Sequence, residues 1–168
     1  MFSSISDEWE TPQALFDVIN SVCQFNRDVC ATDDNAKCAQ YWTQQTNGLN
    51  ELWQGRCWMN PPYGRAISHW MKKVFEESHK QYCDLVVCLV PARTDTAWWH
   101  DYALQGKVLF FRGRLKFINR ALPSYREDGK FKMSGAPFPS ALVIHGNNKD
   151  EIWSCLRQRL TAAGMPCA

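Results

Sequence analysis

No stretch of this sequence approaches the ~20 consecutive apolar residues that a helix needs to cross a bilayer, so no membrane association is expected. Its eight cysteines (Cys23, Cys30, Cys38, Cys57, Cys83, Cys88, Cys155 and Cys167) form no C-x-x-C pair. The four histidines (His69, His79, His100 and His145) stand at no ligand spacing, so no metal site is expected either. Residues 1 to 20 carry no basic leader followed by an apolar run, which points to a cytoplasmic chain with reduced thiols. Most of those thiols lie in apolar runs, where cysteine behaves as a small core residue. Charge of one sign is lacking too: 19 Lys and Arg against 17 Asp and Glu leave a net +2, which does not by itself announce a nucleic-acid binder. Repeats and low-complexity segments are absent.

What is present fits one globular domain spanning 1–168, since the 168 residues are 45% hydrophobic and 21% charged. Aromatic content is high at 13%, with eight tryptophans, and aromatics serve cores, interfaces and base stacking alike. Oligomeric state is not legible, and a monomer is the default.

Thr11 before Pro12 reads as an N-cap with proline at the first helical position, and Leu15, Val18, Ile19 and Val22 then recur at helical spacing, predicting a helix over 12–22. A strand is expected over 25–32, a short helix over 34–40 followed by loop, and a strand over 56–59. Ile67, Trp70, Met71, Val74 and Phe75 mark a further amphipathic helix. The uninterrupted run Leu85–Val90 reads as a strand covered on both faces. Thr94 is placed to cap a helix running to Gln105, strands follow over 108–111 and 141–144, and a last helix over 150–162. Strands alternating with helices imply an α/β fold with a mostly parallel, helix-flanked sheet, which binds ligands beyond the carboxyl ends of its strands. The segments DVCAT, WMNPPY and VPARTDT each sit where an apolar strand stops, so all three should open onto one edge.

The stretch RCWMNPPYGR, residues 56–65, is the most informative. Two prolines hold Asn60 and Pro61 extended and offer carbonyls without N–H groups, a rigid acceptor platform; the competing reading is an ordinary turn. An exocyclic amine on a nucleobase is a poor nucleophile because its lone pair is delocalised into the ring. Accepting hydrogen bonds from both of its N–H groups draws density back to nitrogen, and the Asn60 side-chain oxygen with the Pro61 carbonyl could do so with little reorganisation. Tyr63 could lie face-on against a base flipped from a duplex.

An Asn-Pro-Pro-Tyr turn after an apolar strand resembles that of amino-group methyltransferases using S-adenosyl-methionine. The blocks WETPQALFDVI, DVCATDDNAKC, WMNPPYGRAISHW, LVPARTDTAWWH, GRLKF and APFPSALVI together resemble the small phage-type DNA adenine methyltransferases, over about 9–145 of the chain. The resemblance implies a small Rossmann-like methyltransferase fold with a reduced sheet, acting on the 6-amino group of adenine in double-stranded DNA, in the cytoplasm of a bacterial host if phage-encoded. It assigns Asn60, Pro61, Pro62 and Tyr63 to catalysis. For the cofactor it implies Thr11, Pro12 and Leu15 of the T-P-x-x-L segment near the methionine end and Asp28 near the amino group, with Glu10, Cys30, Ala31, Thr32 and Asn35 as further cofactor candidates.

Two departures bear on the cofactor. The place of the usual Gly-rich loop reads Cys30, Ala31, Thr32, and the short span from Asp33 to Met59 leaves little room for strands carrying the nucleoside half. Asp33, Asp34 and Asn35 could bond a ribose or cap the next short helix. Basic residues cluster at Arg112, Arg114, Lys116, Arg120, Arg126, Lys130 and Lys132 against Glu127 and Asp128, which is either a solvated face or a phosphate grip. Segment 119–139 is long for a passive loop, so a DNA-contacting insert over 112–139 is expected, with Arg65, Arg93, Arg114, Lys116, Arg120 and Arg126 as candidate DNA contacts. Arg93, Thr94 and Asp95 read equally as a helix cap. Without the glycine loop, a methyltransferase-like DNA-binding protein lacking catalysis stays open, as do RNA or a protein glutamine as acceptor.

Overall fold

The computed structural model describes residues 7–120 and 134–168. Helix α1 (Gln13–Cys23) leads into β1 (Arg27–Asp28), β2 (Gln40–Tyr41), a 3-10 turn at Gly48–Asn50, β3 (Gly55–Met59) and α2 (Ile67–Ser78). Then come β4 (Cys83–Pro91), α3 (Ala97–Asp101), a 3-10 turn at Ala103–Gln105, β5 (Lys107–Phe110), β6 (Lys116–Phe117), β7 (Ser134–Gly135), β8 (Ser140–Gly146) and α4 (Lys149–Ala162). The main sheet has the order β2-β1-β3-β4-β8-β5, and β6 pairs with β7 in a separate ribbon. Pairings are parallel from β2 through β4, and β8 is antiparallel to both β4 and β5. Five strands therefore share one direction and β8 alone opposes them, giving the mostly parallel, Rossmann-like α/β sheet expected. The reversal at β8 has a simple cause: it is entered directly from β7 with no crossover helix, and a parallel partner would need one.

Every residue from Leu85 to Pro91 and from Ser140 to His145 is buried. Successive side chains in a strand point to opposite faces, so both faces of β4 and β8 are covered. Contacts of α1 with α4, and of α2 with β4, β8 and α3, supply that cover. On α2, Ile67, Trp70, Met71 and Val74 face inward as their spacing demands. Glu77 follows them inside, 1% exposed, because three donors meet it: Lys73 Nζ at 2.8 Å, Lys80 Nζ at 2.6 Å and the Trp53 N–H at 3.0 Å. Burial alone would raise this carboxyl, but those bonds outweigh it and hold the group below its ordinary value. Glu77→Gln, which keeps the size and loses the charge, is expected to cost about 2 kcal/mol, read as a lower urea midpoint at pH 7. The same stabilisation fades in the wild type as pH falls through the depressed pKa of the folded state.

Four expectations are corrected. Helix α1 begins at Gln13 with Pro12 at the cap position and no side-chain cap, so Thr11 is not an N-cap. β1 pairs regularly over two residues, and single bonds, Asn26 N–H to Arg56 O, Val29 N–H to Trp58 O and Ala31 N–H to Trp42 O, prolong it towards 25–32, while Asp28 takes the Cys30 N–H with its side chain. Over 34–40 there is no helix: Asn35 Oδ1 accepts from Thr32 N–H at 2.7 Å, closing a turn, and the chain extends into β2. The helix expected from Thr94 to Gln105 starts at Ala97, with Thr96 at the cap position; the Thr96 hydroxyl donates back to Arg93 O at 2.7 Å, and both Trp98 and Trp99 are buried.

Candidate active site

Because β1, β3 and β4 run in parallel, their last residues Asp28, Met59 and Pro91 lie along one edge of the sheet. A cavity of about 680 Å³ opens there, inside the range typical of small-molecule sites. Its wall brings together three pieces of sequence: Asp7–Thr11, the turn after β1 with Asp28, Cys30, Ala31, Thr32, Asn35 and Lys37, and the turn after β3 with Asn60, Pro61 and Pro62. Trp58, Trp70 and Leu49 add apolar surface, and Thr43, Gln44 and Asn47 add polar groups. Arg93, Thr94 and Asp95, expected to share this opening, do not line it.

The Asn60 side chain is the sharpest feature. Its Nδ2 donates to the Trp9 carbonyl at 2.6 Å and to Thr11 Oγ1 at 2.9 Å, which occupies both amide hydrogens. A carbonyl can only accept, so the Trp9 contact decides which end of the amide is nitrogen. The other end, Oδ1, is buried and has no hydrogen-bond partner among the described residues. An orphaned buried acceptor is costly unless something completes it.

Asp28 is the second. It is 2% exposed at the end of β1, and its carboxylate accepts the backbone N–H groups of Cys30 at 3.3 Å and Lys37 at 3.0 Å. Burial pushes its pKa up to about 7, and the two N–H bonds pull only partly against it. The Lys37 ammonium is not bonded to Asp28; it donates to Gln13 Oε1 at 3.1 Å, and burial draws its own pKa down. A buried carboxylate with a raised pKa on the wall of a cavity marks Asp28 as a candidate functional group. The thiol of Cys30 is likewise pushed up by burial, to about 12, which keeps it protonated and inert.

Tyr63 departs from the expected stacking surface. It is 2% exposed and absent from the cavity wall, its hydroxyl donates to Leu89 O at 3.0 Å, and its ring meets Phe138 and Phe117 edge-on at 5.3 and 6.1 Å. Phe117 is fully buried, and Trp9 packs edge-on against both phenylalanines. Tyr63 thus acts as a plug that holds the end of the turn in the core.

Among the residues expected to grip DNA, Arg65, Arg114 and Lys116 are exposed and Arg93 is half-buried. Arg120 forms an ion pair with Glu10, through Nη2 at 3.3 Å and through Nε. Arg126 lies outside the described residues, as does the middle of the 112–139 insert. Among the described residues no group of three or more His, Cys, Asp or Glu could hold a metal ion, and no helix is long and apolar enough to cross a membrane. All eight cysteines are free thiols.

The family described as DNA N-6-adenine-methyltransferase (Dam) matches residues 2–160, nearly the whole chain. The chain belongs to the Dam family. A DNA N-6-adenine-methyltransferase of Haemophilus phage HP1 is 30% identical over 122 residues, which is 69% of this chain and 69% of that protein. A second, of Escherichia phage T1, is 28% identical over 101 residues, 58% of this chain but 41% of the T1 protein's length. Membership implies a methyl donor, and the cavity lining offers a buried carboxylate at Asp28 and an Asn60 oxygen without a partner among the described residues.

Several residues of this cavity were not singled out in the sequence as candidate site residues. Trp9 and Asp7 act through backbone carbonyls, the latter accepting from Tyr63 N–H at 2.9 Å, and a carbonyl is the same in every residue type. Lys37, Asn47 and Trp70 reach the cavity from elements whose relative placement no local pattern encodes.

Proposed function

We propose that this protein transfers a methyl group from S-adenosyl-methionine to the 6-amino nitrogen of adenine in double-stranded DNA, the reaction its family is described by. When bound, S-adenosyl-methionine supplies an electrophilic methyl group on a positively charged sulfur. Asp28 holds the donor's ammonium, and the turn Cys30–Asn35, with Trp58, Asn47 and Leu49, forms the wall for the rest of it. Asn60 Oδ1 and the Pro61 carbonyl accept from the two N–H groups of the flipped base, which returns lone-pair density to its nitrogen. The surplus proton leaves to solvent. Tyr63 anchors the turn through its bond to the Leu89 carbonyl, so the acceptors stay in place while charge develops. Exposed Arg65, Arg114 and Lys116 contribute phosphate contacts, and the protein works beside DNA in the cytoplasm.

The single observation that carries this reading is the buried Oδ1 of Asn60, without a partner among the described residues, on a residue that lines the same cavity as Asp28. The test is incubation with methyl-labelled donor and double-stranded DNA, followed by nucleoside analysis. Label in N6-methyl-2′-deoxyadenosine is the expected result. Label confined to RNA, to a protein glutamine or to another base would overturn the acceptor assignment, and donor binding without transfer would overturn catalysis.

A further inference from the structure

We propose that Thr11 is a positioning residue: together with the Trp9 carbonyl, its hydroxyl oxygen locks the Asn60 side-chain amide in the orientation that turns Oδ1 to the cavity. This rests on the reading of Asn60 as the acceptor of the reacting amine, and it gives Thr11 a task distinct from touching the methyl donor.

Thr11 is 2% exposed and stands one residue ahead of the cap position of α1, where its side chain makes no cap bond. Its oxygen meets Asn60 Nδ2 at 2.9 Å instead. The terminal torsion of asparagine is broad, so a single anchor leaves the amide free to swing about that one bond. Two acceptors, one for each Nδ2 hydrogen, define the plane of the amide. Trp9 O at 2.6 Å forbids the flipped form, since an oxygen would then face an oxygen; Thr11 removes the remaining swing. Both anchors lie on the same short segment, which is fastened again at Asp7 O by the Tyr63 N–H at 2.9 Å and at Glu10 by paired backbone bonds with Ile118 of 2.9 and 3.1 Å. The segment 7–11 is therefore a strap across the Asn60–Tyr63 turn, and Thr11 contributes a side-chain hydrogen bond to Asn60.

An amide swung by even a modest angle presents its oxygen off the line of the substrate N–H, and hydrogen bonds weaken steeply with misalignment. Loss of the anchor should then act on the transition state rather than on donor affinity. For Thr11→Val, kcat is expected to fall about tenfold or more while the donor Kd, measured by calorimetry, stays within about twofold. Thr11→Ser, which keeps the oxygen, should restore most of kcat. A readout free of turnover is the side-chain amide pair of Asn60 in the nitrogen–proton NMR spectrum of the ligand-free protein, assigned by its disappearance in Asn60→Ala. One of its two protons should move upfield in Thr11→Val and stay in Thr11→Ser. Should Thr11→Val not fold, Thr11→Ala carries the same comparison. Wild-type kcat and an unmoved Asn60 pair in the oxygen-less variant overturn the proposal, and so does a loss of donor affinity that accounts for the whole loss of rate. If Asn60→Ala itself stays active, the underlying reading of the site has failed, a result separate from any behaviour of Thr11.

Discussion

Asn60→Ala is expected to slow methyl transfer by about a thousandfold, near 4 kcal/mol of transition-state stabilisation, with donor affinity little changed. The size follows from what the side chain does. Its two Nδ2 hydrogens are spent on Trp9 and Thr11, so the side-chain acceptor left to the residue is one preset Oδ1. Among the described residues that oxygen is buried and has no partner, a standing cost that an incoming N–H removes. Alanine relieves the cost in the free protein and forfeits the bond in the transition state, when the amine becomes more positive and the bond is strongest. Alanine also leaves the Trp9 carbonyl and the Thr11 hydroxyl without their Nδ2 donors, so a urea midpoint is measured beside the rate, and the rate should fall far more than stability does. Single-turnover transfer from labelled donor, beside calorimetry of donor binding, separates the two effects. An active Asn60→Ala would remove the chemical basis of the proposed function.

The second large effect concerns charge. Asp28→Asn is expected to weaken donor binding by roughly a hundredfold, about 3 kcal/mol, because it leaves the donor's ammonium buried without its counter-charge. The pH dependence has a definite sign. With a folded-state pKa of about 7 in the empty cavity, Asp28 must shed a proton to bind a cation, so wild-type affinity should decline as pH drops below 7, by up to about tenfold per unit. Asp28→Asn should lack that slope. Stability of the ligand-free protein responds in the opposite sense. A carboxyl raised above its ordinary 3.8 keeps its proton in the folded state when the unfolded chain has lost it. This contribution is fully present below about pH 4 and is lost as pH climbs through about 7. The urea midpoint of Asp28→Asn relative to wild type should thus rise between pH 5 and pH 8, and saturating donor should restore the wild type. A flat difference across that range would show that Asp28 is not the titrating group.

The same two residues show how far reading the chain goes. Pro61 and Pro62 limit the backbone wherever they occur, so the rigid turn at Asn60 was legible locally. The periodicity of α2, the apolar run of β4 and the alternation of strands with helices were legible for the same reason, since covalent geometry and burial on a regular lattice leave a one-dimensional trace. Thr11 was misread as a helix cap because Thr-Pro ahead of an amphipathic run carries the same local signature whether or not the hydroxyl is needed elsewhere. Tyr63 was read as a stacking surface because an aromatic beside a rigid turn looks alike from either side of a wall; Phe117, Phe138 and the Leu89 carbonyl decide that it faces inward.

By itself, then, the sequence determined the helix-flanked parallel sheet, the place of the Asn60 turn at a strand end and the acid at the end of β1, because each depends on neighbours along the chain. Only the tertiary structure decided which atoms of that turn are free. The Asn60 oxygen is left open by a carbonyl and a hydroxyl from a segment some fifty residues away (Trp9 and Thr11, separations of 51 and 49), and the proton affinity of Asp28 is set by how completely the fold removes water from it. Hydrogen-bond satisfaction and desolvation are properties of the packed chain, and no spacing of letters encodes them.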